Sequence, residues 1–94
     1  MSLQRRTLQE TVTTLPASAV LDAAREFFAR RQSIYTAYVE QESAHHLSLR
    51  GQGGEEIVIA VAPHANGTRV TGGSYMFDGP VGRFFASLPP AEAA

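Results

Sequence analysis

The sequence has no cysteine, no tryptophan and no lysine. Without cysteine there is no disulfide framework, no thiolate zinc site and no cysteine nucleophile. Without lysine there is no Schiff-base chemistry and no phosphate-loop lysine. All eight basic residues are arginine: Arg5, Arg6, Arg25, Arg30, Arg31, Arg50, Arg69 and Arg83. Arginine suits carboxylate and phosphate forks better than lysine does. No run approaches the roughly 18 apolar residues that a membrane-spanning helix needs. The N-terminus also lacks the apolar core of a signal peptide, so the expected compartment is the cytoplasm. No excess of one charge sign is present: eight basic residues against nine acidic ones leave a net charge of -1. A chain this close to neutrality is a poor general binder of nucleic acid or anionic membrane.

What is present is an ordinary globular composition. The 94 residues are 44% hydrophobic and 18% charged, which predicts one domain over 1–90 and a short tail at 91–94. No repeat and no low-complexity linker divides it. Residues 5–15, rich in threonine and valine, predict a strand with Leu8, Glu10 and Val12 on one face and Gln9, Thr11 and Thr13 on the other, polar one. Leu15-Pro16-Ala17-Ser18 breaks it and starts a helix, with Ser18 as its cap. Residues 19–31 predict that helix, with Val20, Ala24, Phe27 and Phe28 at helical spacing.

Residues 34–50 return to strand composition, with a kink or short turn near Glu42-Ser43-Ala44. Glu55 to Ala62 reads as a strand apolar on both faces: Ile57, Ile59 and Val61 on one, Val58, Ala60 and Ala62 on the other. That pattern predicts a strand covered on both sides or lying in a subunit interface. Asn66-Gly67 is the hairpin signal. Thr68 to Phe77 is the returning strand, and Gly72-Gly73 within it predicts a bulge or bend. Asp78-Gly79-Pro80 opens a last helix. Its stripe Val81, Phe84, Phe85 and Leu88 is spaced i, i+3, i+4 and i+7, and Pro89-Pro90 stops it. The order β-α-β-β-β(-β)-α predicts an α+β fold: a curved antiparallel sheet with helices on one face.

Three segments carry a family resemblance. Thr11-Val12-Thr13-Thr14-Leu15-Pro16-Ala17-Ser18-Ala19-Val20 resembles a first strand, its turn and the helix entry. His46-Leu47-Ser48-Leu49-Arg50-Gly51 resembles a strand ending in Arg-Gly, and Asn66-Gly67-Thr68-Arg69-Val70-Thr71 resembles a hairpin return. Together they resemble the START-related and polyketide-cyclase-like (SRPBCC) helix-grip superfamily, in a shortened form. The resemblance implies a sheet gripping one main helix and a deep apolar cavity closed by a long C-terminal helix. Here only Val81 to Leu88 stands in that helix's place. The cavity is therefore filled by side chains or closed by a second subunit. The superfamily has no fixed site motif to carry onto residues of this chain.

Candidate chemistry is sparse. His45 and His46 point to opposite faces of a strand, so one chain cannot place both on one metal; His64, near the next hairpin, could approach either. Glu10 shares a face with Leu8 and Val12, and if that face is inward it needs Arg50 or Arg69 as partner. Glu40 and Glu42, two residues apart, read as a solvated strand face. Gly51-Gln52-Gly53-Gly54 has neither a following lysine nor a helix and reads as a turn. No catalytic residue, metal ligand or cofactor emerges. The expected ligand-lining residues are Glu10, Phe27, Tyr35, Tyr38, Tyr75 and Phe84. They support a small domain that binds an apolar or lipid-like small molecule, working as a homodimer. The alternatives are a protein-interaction or dimerisation module without a ligand, and a small cyclase- or hydratase-type enzyme. Dimerisation is expected because a small domain buries little of its surface and because one sheet face must cover Phe27, Phe28, Phe84 and Phe85.

Overall fold

The computed structural model describes residues 7–30, 37–51, 53–65, 67–74 and 78–90. The elements follow in the order β1 (Thr7–Thr13), α1 (Ala17–Arg30), β2 (Ala37–Glu42), β3 (His46–Gly51), β4 (Glu56–His64), β5 (Gly67–Ser74) and α2 (Asp78–Ser87). The strands form one open antiparallel sheet in the order β1-β5-β4-β3-β2. The first strand thus pairs with the last, and α1 carries the chain from one edge of the sheet to the other. The fold is α+β and is consistent with a shortened helix-grip arrangement.

The alternation of β4 decides where the core lies. Ile57, Ile59 and Val61 are buried, and their cross-strand partners include Leu49, Leu47 and Val70, which are buried as well. Cross-strand partners share a sheet face, so these six define the inner one. α1 lies against β2, β3 and β4, and α2 against β1 and β5. From α1 come Val20, Leu21, Ala24, Phe27 and Phe28; from α2 come Val81 and Phe84, with Leu88 just beyond it. The rings of Phe27, Phe28 and Phe84 meet with centroids 5.2 to 5.6 Å apart, tilted or edge-on. Such pairs add roughly 0.5–1.5 kcal/mol each to the area they bury. Side chains occupy the space between the helices and the sheet. Phe85 rests against Gly72. Phe27, Phe28 and Phe84 are thus buried within one chain, and Phe85 is half-buried.

Several expectations need correction. Gly72-Gly73 makes no bulge: the register of β5 with both neighbours runs through it unbroken. The glycine at 72 instead makes room for α2. The register shift falls in β2, between Val39 and Gln41. Of the kink or short turn expected near 42–44 it is the turn that forms, a full reversal in which Ser43 N–H donates to the His46 carbonyl at 2.9 Å. Ser18 does not cap α1; the helix already includes Ala17, and the Pro16 carbonyl accepts from Val20 N–H at 3.1 Å. The β4–β5 turn is one residue earlier than Asn66-Gly67. His64 pairs with Gly67, and Ala65 takes the left-handed conformation at φ 48°. Gly67 is small for another reason: a side chain there would strike the carbonyl oxygen of Thr13.

The faces of β1 also run opposite to hydrophobicity. Thr13 is buried and Gln9 lies beside Gly82 of α2, so the polar set faces the helices. Leu8 and Glu10 face out. On an edge strand the covering helix, not the apolar count, decided the face.

Candidate functional site

Among the described residues the outer sheet face carries no packed element. Its rows follow from the register. Leu8, Gly73, Val58 and Ser48 form one, Glu10, Thr71, Ala60 and His46 the next, and Val12, Arg69 and Ala62 a third. The centre is apolar and built of small groups. A shallow groove of about 430 Å³ lies there, lined by Leu8, Glu56, Val58, Ala60, Thr71 and Gly73. Gly73 sits between the flanking side chains of Leu8 and Val58. This shape arises because β5 offers glycine and threonine where its neighbours offer leucine and valine. Leu8 is 69% exposed, the most open of the large apolar residues described.

Charged groups ring this centre in pairs. Arg69 Nε lies 3.1 Å from Glu10 Oε2, and its Nη2 lies 3.2 Å from His64 Nδ1. A guanidinium only donates, so His64 Nδ1 is the acceptor. Arg50 holds Glu40 through two nitrogens, at 2.9 and 3.3 Å, and donates to the Gly54 carbonyl at 3.0 Å. Its hydrogen bonds to Glu40, then the charges of Glu40 and Glu56, push the guanidinium above its usual pKa. Arg25 is raised likewise, chiefly by its hydrogen bond to Asp22 and then by that to Glu42; the latter ties α1 to β2. An arginine raised in this way stays charged through the whole neutral range.

The four described residues among the six expected lining residues do not converge. Glu10 and Tyr38 lie on the outer face, on opposite edge strands. Glu10 does take Arg69, one of its two expected partners, but in the open, with its side chain 58% exposed. Phe27 and Phe84 belong to the inner core. Tyr35 and Tyr75 lie outside the described residues. Phe27 also borders a cleft of about 270 Å³ between the helices, with Leu15, Ala23, Glu26, Ser87 and Leu88. Within it the Ser87 hydroxyl donates to the Phe84 carbonyl at 2.6 Å.

The histidines are engaged separately. His46 Nδ1 bonds the Ser43 hydroxyl at 2.7 Å, and the His45 carbonyl accepts from Val61 N–H at 2.9 Å. Among the described residues no three histidine or carboxylate groups gather as a metal site would require. No described helix is long and apolar enough to cross a membrane. Leu8, Val58 and Gly73 were not singled out from sequence as site residues. The signal for them was the second apolar face of β4, which needed a topology to show that no described element covers it. Set beside known protein families, curated proteins and solved structures, the chain matches none of them.

Proposed function

We propose that the chain is an interaction module that works through the bare face of its sheet, with no internal ligand chamber. The observation that carries this is the apolar centre of Leu8, Val58, Ala60 and Gly73, flanked by ion pairs and covered by no described element, while the described helices pack on the opposite face. An apolar patch with a polar rim is the anatomy of a protein contact. The two sheet edges are less suited to association. β2 carries a bulge together with Glu40 and Glu42, and β1 is met at its end by Pro90, which has no N–H to offer.

Native mass spectrometry of the purified chain tests this reading against small-molecule binding. The expected result is whole multiples of the bare 10.1 kDa chain. A reproducible added mass, lost when Phe84→Ala opens the core, would overturn it in favour of an internal ligand.

A further inference from the structure

We infer that the cleft between the helices binds a small organic amine, an ammonium head on a short apolar tail. The cleft lies on the helix side of the sheet, so this goes beyond the sheet-face reading and does not depend on it. Its walls are apolar: Leu15 from the turn before α1, Ala23 and Phe27 on α1, and Leu88 just beyond α2. Its two polar side chains, Glu26 and Ser87, offer acceptors only. The Ser87 proton is committed to the Phe84 carbonyl at 2.6 Å, which leaves that hydroxyl its acceptor lone pairs. Glu26 is also engaged within the chain, yet a carboxylate has about four acceptor sites and takes a further donor.

The backbone points to the same charge. Ser87 closes α2, whose last turn holds no basic residue. The negative end of that helix, worth roughly half an elementary charge, therefore faces the cleft without a cation from its own last turn. A positive group rich in donors suits this set. A carboxylate or phosphate would meet Glu26 and the wrong end of a helix. Volume limits the tail. The cleft's 270 Å³ falls just below the roughly 300–1,000 Å³ of drug-sized sites, so the ligand is a fragment and not a lipid. A fragment of about nine non-hydrogen atoms, near the low end of the usual binding energy per atom, binds in the millimolar range.

Titration of phenethylamine into the isotope-labelled full chain, followed by amide NMR shifts, tests the site. Saturable shifts are expected at Leu15, Ala23, Phe27 and Leu88. Phenethyl alcohol has the same shape without the charge and is expected to bind about tenfold more weakly, having lost both Glu26 and the helix end. Hydrocinnamate, the anionic counterpart, is expected not to bind. Glu26→Gln, on an exposed side chain, is expected to weaken the amine about fivefold and leave the alcohol unchanged. Ala23→Leu keeps a good helix former on α1, fills the cleft and is expected to abolish binding of both. Equal binding of amine and alcohol, or indifference to Glu26→Gln, overturns the proposal. Shifts that do not saturate, or that fall at Val58, Thr71 and Gly73 instead, overturn it too. A fragment this weak leaves no mass on the purified chain. Failure here therefore leaves the sheet-face reading standing, and a ligand mass in the previous experiment overturns that reading alone.

Discussion

Gly72 shows how one missing side chain positions an element. A methyl group there would meet Val81 Cγ1 at 2.7 Å and Phe85 Cζ at 2.9 Å, both on α2. Gly72→Ala must therefore push the helix outward or force off-rotamer side chains, at a cost of about 1–3 kcal/mol. The expected outcome is a lower denaturant midpoint with an unchanged slope. Gly79→Ala is the contrast. Its new methyl meets only the guanidinium end of Arg83, at 3.4 Å, and gains helix propensity, so stability should hold or rise by up to about 1 kcal/mol. Equal losses at both positions would sink the distinction. The sequence marks both glycines alike; a neighbour nine or more residues away tells them apart. The phenylalanines posed the same difficulty. Phe27 and Phe84 stand at helical spacing, which fits a packed core and a ligand pocket equally, and only the structure places both rings in one cluster with Phe28.

At the scale of elements, α2 is held by more than its apolar stripe. The buried Thr13 hydroxyl donates to the Pro89 carbonyl at 2.6 Å and accepts from Leu15 N–H at 3.3 Å. Thr14 N–H reaches the same carbonyl at 3.4 Å. The end of β1 is thereby fastened to the chain just after α2, a helix too short to persist alone. Thr13→Val keeps the shape and removes the hydroxyl, at a cost of about 1–3 kcal/mol. Hydrogen exchange should show the loss concentrated in α2 and the β1 end, with the β3–β4 amides protected almost as before. Uniform loss of protection would mean that the fastening acts on the whole fold instead. This contact lies between residues 76 apart in sequence, so no local pattern announces it. α1, β4 and α2 were legible because their apolar residues repeat at one period. The β2–β3 reversal was legible only as a kink or short turn near 42–44, because Ser43, Ala44 and His45 contain no glycine, proline or asparagine. Its turn is supported instead by the Ser43 hydroxyl, which bonds His45 N–H and the His46 ring.

For the whole molecule, the decisive fact is that among the described residues both helices pack on one side of the sheet, which leaves the other side to solvent or to a partner. These alternatives differ in their response to dilution. If the native state is a monomer, the unfolding midpoint is independent of protein concentration. If two copies unfold together, mass action stabilises the dimer by about 1.4 kcal/mol for each tenfold rise in concentration. Two chains of 94 residues, at roughly 2.1 cal/mol/K of unfolding entropy per residue, convert that into about 3.5 °C per decade. A second copy as partner gives this slope in the wild type, measured by calorimetry over two decades of concentration. Val58→Lys places a charge in the centre of the outer face, where the side chain is only half-buried in one chain, so it should leave the monomer fold intact. It should flatten the slope to zero. Its midpoint should also fall below that of the wild type at high concentration and approach it on dilution. A slope of zero in both proteins would assign the bare face to a different partner. An equal slope in both would move the contact off this face altogether.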